Sequence, residues 1–109
     1  MLHGSIKQAV ATEVVFAPEA LRDLIGLYDY VSDKAGAQIA LNFADTIRRY
    51  CLTFGTFPQR GMRRDDLRPG LRVVGFRRRI TIAFHVAPDR VVIDRILYAG
   101  RDTDRLAGL

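Results

Sequence analysis

The sequence predicts an α+β domain in which a two-helix hairpin packs on one face of an antiparallel sheet of about four strands. Three observations carry this. Apolar residues recur at spacings of three and four between Ala20 and Phe54, the period of helices with one buried face. Three runs of strand composition follow between Leu71 and Ala99. The chain has 109 residues, 49% of them hydrophobic, enough for one modest core and too few for a large multidomain enzyme.

Residues 1–11 mix small, polar and apolar types without a period and read as a flexible N-terminal extension, leaving residues 12–109 as a single domain. Thr12 to Ala17 carries adjacent Val14, Val15 and Phe16 and stops at Pro18, the pattern of a first strand at the sheet's edge. Pro18 suits the first position of a helix, where its missing N–H costs nothing, and Glu19 and Asp23 place negative charge at the positive end of the helix dipole. Leu21, Leu24, Ile25, Tyr28 and Val31 then mark the apolar face, and Gly36 ends the helix. Ala40, Phe43, Ile47, Tyr50 and Phe54 form a second stripe, and so short a connection makes the helices antiparallel. Phe57 to Gly70 is rich in glycine, proline and arginine and reads as a loop. The strands Leu71 to Phe76, Ile80 to Val86 and Val91 to Ala99 form a meander, with Ala87-Pro88-Asp89-Arg90 as turn chemistry between the last two. In the last run Val91, Ile93, Arg95 and Leu97 alternate with Val92, Asp94, Ile96 and Tyr98, so neither face is purely polar.

Charge is unevenly distributed. Of 17 basic residues 15 are arginine, which favours forked contacts to phosphate or carboxylate. Residues 1–54 carry 5 bases and 6 acids, whereas residues 55–109 carry 12 bases and 6 acids, so the whole net charge of +5 comes from the C-terminal half. Cys51 has no disulfide partner, and with His3 and His85 alone beside it no zinc module forms; neither a metal nor a cofactor is expected. No apolar run approaches the roughly 20 residues of a membrane span, and residues 1–12 lack the plan of a signal peptide, which makes the cytoplasm the expected location.

Four segments in register resemble the RelE/ParE superfamily of small bacterial toxins from toxin–antitoxin operons. Ala20-Leu21-Arg22-Asp23-Leu24 followed by Tyr28-Asp29-Tyr30-Val31 is similar to the family's first helix. Phe57-Pro58, Gly61, Arg64, Leu67 and Gly70-Leu71-Arg72 are similar to its central signature. Arg79-Ile80-Thr81-Ile82-Ala83-Phe84 fits its third strand, and Arg95 to Asp102 fits the ParE-type ending, with Tyr98 where histidine is usual. The resemblance spans about residues 12–105 and implies a toxin of a type II, plasmid-stabilisation-type module that forms a hetero-oligomer with a cognate antitoxin.

The superfamily holds two activities. RelE-like members cut messenger RNA on the ribosome, which calls for a base, an acid and cations around the phosphate; ParE-like members inhibit DNA gyrase. For a nuclease the resemblance nominates Arg72, Arg79, Arg95 and Tyr98. Against it, Arg77-Arg78-Arg79 also reads as a solvated turn with one inward residue, and Tyr98 is a phenol of reference pKa about 10 with no adjacent imidazole or lysine. His85 has the chemistry of a general base, but six residues from Arg79 it lies about 20 Å away along the strand. Cys51 reads as a small core residue rather than a nucleophile. Gyrase inhibition is therefore the leading expectation, with a ribosome-dependent endoribonuclease as one alternative and an inactive relic that only binds antitoxin and helps repress its operon as another. The expected partner contacts are Leu24, Tyr28, Val31, Phe43 and Ile47 on the helical hairpin, where the antitoxin is expected to lie, and Arg101, Asp102 and Arg105 in a charged tail whose removal is expected to weaken toxicity while sparing antitoxin binding.

Overall fold

The computed structural model of the protein describes residues 12–98. Its elements are β1 (Glu13–Phe16), α1 (Pro18–Ala35), α2 (Ala37–Leu52), a 3-10 turn (Thr53–Gly55), β2 (Met62–Arg63), β3 (Arg72–Phe76), β4 (Ile80–Val86) and β5 (Arg90–Tyr98). One five-stranded sheet runs in the order β1-β5-β4-β3-β2. The expected edge strand, hairpin and meander are all present, with two differences. The segment read as a loop contributes β2, which pairs with β3, and β1 lies parallel to β5, making the sheet mixed. A parallel pair needs a long connection between its strands, and the helical hairpin, β3 and β4 supply one.

Local chemistry sets the helix ends. Ala17 is extended and Pro18 occupies the first turn of α1, with Glu19 as its acidic residue. Gly36 alone joins the helices. It has φ of 96°, its N–H donates to Ser32 O at 2.9 Å to close α1, and its carbonyl accepts from Ala40 N at 3.1 Å to open α2. An L side chain there would be strained.

Both helices lie on one face of the sheet. Ala20 and Leu27 of α1 and Ile47, Cys51 and Phe54 from α2 and its following turn pack against Ile80, Ile82, Phe84, Val91, Ile93 and Ile96. Phe54 sits 4.6 Å from the Phe84 ring, and Tyr50 stacks on Phe76 at 4.3 Å. Cys51 is the core residue the sequence suggested. Burial pushes its thiol up to about 12 against a smaller opposing pull from the Arg60 guanidinium. A thiolate is the reactive form, so iodoacetamide is expected to leave Cys51 unlabelled in the native protein and to label it fully in denaturant. Labelling at equal rates in both conditions would contradict this packing.

Strand β5 departs from the expected alternation. Ala83 pairs with Arg95 but Phe84 pairs with Ile93, so Asp94 is an extra residue, a β-bulge. Ile93 and Ile96 are three apart yet both face the helices. Ile96 and Tyr98 therefore share the face of Val91 and Ile93, while Leu97 turns to the opposite one.

That opposite face carries a second, smaller cluster of Leu71, Ala83 and Leu97, with Leu67 and Val73 against it. The segment before β3 folds tightly around this cluster: Arg64 N donates to Leu71 O at 2.8 Å, Leu71 N to Arg68 O at 3.0 Å, and Gly70 N to Asp65 Oδ1 at 2.8 Å. Between β3 and β4 the connection is Arg77-Arg78-Arg79, with φ of 52° at Arg77 and 67° at Arg78. For residues with a Cβ, such left-handed backbone costs roughly 1 kcal/mol each.

Candidate functional site

The four residues nominated for a nuclease centre divide: Arg79 and Tyr98 share one end of the sheet, with Tyr98 opposite Ile80, while Arg72 and Arg95 are each engaged elsewhere. Arg72 Nη2 donates to Gln59 Oε1 at 2.7 Å and its Nη1 to Arg60 O at 3.1 Å. Arg95 forms a forked pair with Asp23 of α1, at 2.7 and 3.0 Å, and this half-buried contact holds its guanidinium above the usual arginine range. Tyr98 packs its ring 5.4 Å from Tyr30. Arg79 is exposed at the β3–β4 turn. Register places Arg72 opposite Phe84 and Tyr98 opposite Ile80, so those two stand about 13 Å apart along β4.

Arg60, which lies within the span of the central signature without being one of its residues, has a packing role. Arg60 lies over the rings of Phe54 at 4.6 Å, Tyr50 at 5.6 Å and Phe57 at 5.9 Å. Its Nε donates to Phe57 O at 2.8 Å, and its Nη2 to Thr53 O at 3.2 Å. The loop is thereby fastened to the end of α2, and Arg72 fastens β3 to the same loop.

A polar cluster occupies the sheet face away from the helices. His85 Nδ1 lies 2.7 Å from Asp94 Oδ2 and 3.1 Å from Arg68 Nη2, and Arg68 Nη2 is 3.8 Å from Asp94 Oδ1. Asp94, at 7% exposure, is the buried charge of the group. His85 Nδ1 thus stands between a carboxylate oxygen and a guanidinium nitrogen. A histidine oriented this way has the form of a general base, but Cys51, the chain's thiol, lies across the sheet in the helix-side core. What the cluster does here is clamp the loop before β3 onto β4 and β5. The bulge turns Asp94 toward His85. The one legible signal is a lone acid within the apolar run Val91 to Leu97.

The helical residues nominated for a partner divide differently. Ile47 is fully buried, and Leu24, Val31 and Phe43 pack against the core, so this stripe faces the sheet. An amphipathic helix spends its most regular apolar stripe on its own core, which is why the period points there. Tyr28 is half-buried at the margin, while Leu21 and Ile25, one turn apart on α1, are exposed at 47% and 61%. Such a surface suits a second chain. Arg101, Asp102 and Arg105 lie outside the described residues.

The fold is a helical hairpin over a sheet with a C-terminal meander, and comparison with known proteins gives its class. Residues 14–103 match the family described as the ParE toxin of type II toxin-antitoxin system, parDE. The chain belongs to that family. Among solved structures it is similar to the chromosomal ParDE TA system from P. aeruginosa, with a TM-score of 0.71 over 82% of this chain and 97% of that one. At 22% identity the likeness is one of fold. No curated protein matches the chain in sequence.

Proposed function

We propose that this chain acts in the cytoplasm as a toxin that inhibits DNA gyrase and that a cognate antitoxin neutralises it. Membership of the ParE toxin family supports the toxin role. The observation that favours gyrase over messenger RNA is the engagement of Arg95 with Asp23 and of Arg72 with Gln59 and Arg60 O, which commits two of the nominated cations to holding the fold. For the antitoxin, the surface offered is the Leu21–Ile25 flank of α1 with Tyr28 at its margin, where an acidic segment that folds on binding would cover apolar area.

The deciding experiment adds the purified chain to DNA gyrase with relaxed plasmid, and in parallel to a translating extract read by primer extension. Supercoiling is expected to stop and the messenger to stay uncut. Arg79→Ala is expected to keep this inhibition, because Arg79 lies at an exposed turn. A nuclease would instead lose roughly 100-fold or more on removal of one preorganised stabiliser of its transition state. Messenger cuts that vanish in Arg79→Ala, at unchanged melting temperature, would transfer the assignment to RNA.

A further inference from the structure

Among the described residues most arginines are paired, Arg22 on the exposed side of α1 being one exception. Arg48 and Arg49 hold Asp45, Arg63 holds Asp65, Arg64 holds Asp66, Arg90 holds Asp89 and Arg95 holds Asp23. The β3–β4 turn is different. Among the described residues, Arg78 and Arg79 make no side-chain hydrogen bond or ion pair, and the Arg77 side chain has only the Phe76 ring, at 5.4 Å. All three are exposed. Two of them also hold left-handed backbone, which asparagine and glycine adopt readily in hairpin turns. Strain and unpaired charge thus coincide where the turn's own geometry calls for neither.

The same end of the sheet carries more of this chemistry. Ile80, next to Arg79, pairs with Tyr98. Tyr98 meets the exposed ring of Tyr30, and Lys34 Nζ lies 5.6 Å over that ring. Meanwhile the described acids of the basic C-terminal half are engaged elsewhere. Arg63, Arg64 and Arg90 hold the carboxyls of Asp65, Asp66 and Asp89 below the usual range, and Asp94 is enclosed by His85 and Arg68.

We propose that Arg77, Arg78 and Arg79 form a docking site for the phosphate backbone of duplex DNA. Guanidinium forks match phosphate oxygens, and three on consecutive residues suit a target with one charge per about 1.7 Å of axis. A lipid surface fits less well, because membrane docking asks for apolar insertion, and the nearest ring, Phe76, is stacked on Tyr50 at 4.3 Å. No base contact is implied; the site gives affinity without sequence preference.

The inference goes beyond the gyrase reading, and its test contains no gyrase, so either can fail alone. The full chain is titrated into a short fluorescent duplex of mixed sequence across about 50 to 200 mM salt, beside the triple variant Arg77→Asn, Arg78→Gly, Arg79→Gln. At about 0.9 per phosphate, the slope of log affinity against log salt should be shallower in the variant by about 2.7, with melting temperature equal or higher because the turn strain is relieved. Arg78→Gly alone should remove about 1. Absence of duplex binding by the parent, or equal slopes for parent and triple variant, overturns the proposal. So does loss of binding to polyglutamate or to phosphatidylserine vesicles while duplex binding is unchanged, which would assign the turn to an acidic protein or to a membrane.

Discussion

Asp23→Ala is expected to destabilise the protein by about 3 kcal/mol, lowering its melting temperature by roughly 10 °C or more. Asp23 makes three contacts across 72 or more residues of sequence: the Arg95 fork at 2.7 and 3.0 Å, and the Ile96 N–H at 2.9 Å. The last is decisive for topology. β1 pairs with β5 only as far as Ile93, so beyond that point the outer edge of β5 has no strand neighbour among the described residues, and the helix carboxylate substitutes for one. With side chains only 16% and 21% exposed, removal of the acid leaves a poorly solvated guanidinium and an unpaired N–H together. Asp23→Asn retains an acceptor for Ile96 and should recover about half the loss. Arg95→Ala should cost less than Asp23→Ala, since the acid keeps the Ile96 N–H and reaches solvent. In a double-mutant cycle monitored by urea unfolding, the pair should couple by more than about 1 kcal/mol. Zero coupling, or a toxicity loss in Arg95→Ala without any change in stability, would return Arg95 to the list of functional residues.

The elements whose signals are local are legible in the sequence. Pro18 and Gly36 bound α1 because backbone geometry forces them to, and the three-and-four spacing of Leu24, Val31, Phe43 and Ile47 marks the buried helix faces. The same spacing misdirects the partner assignment, since periodicity reports what a helix buries in its own core and says nothing about a second surface. The parallel pairing of β1 and the pairing of β2 depend on contacts between distant segments, to which composition is blind. The same holds for the site. Resemblance nominates Arg72, Arg79, Arg95 and Tyr98, and the neighbours that engage Arg72, Arg95 and Tyr98, namely Gln59, Asp23 and Tyr30, come from other elements of the fold. The unpaired state of Arg77, Arg78 and Arg79 likewise depends on where the fold carries each described acid, which no local pattern reveals.

The bulge in β5 yields the second large effect. Asp94→Ala is expected to cost about 2 kcal/mol, because it strips the buried carboxylate from His85 and Arg68 and frees the loop they clamp onto the sheet. The figure is below that for Asp23 because His85 and Arg68 are each about 30% exposed and regain water. Deleting Asp94 altogether should cost little more than replacing it. Ordinarily a one-residue change inside a strand sends every following side chain to the wrong face. Here Asp94 and Arg95 together oppose Ala83, so the deletion restores a period of two, and Ile93, Ile96 and Tyr98 still point at the helices. A strict alternation of Val91, Ile93, Arg95 and Leu97 on one face forecasts the reverse: the deletion would swing Leu97 off that face, move Ile96 and Tyr98 onto it, and lose the fold. Thermal melts of the substitution and the deletion side by side separate the two accounts: near-equal midpoints support the bulge register, and an unfolded deletion variant beside a folded Asp94→Ala refutes it.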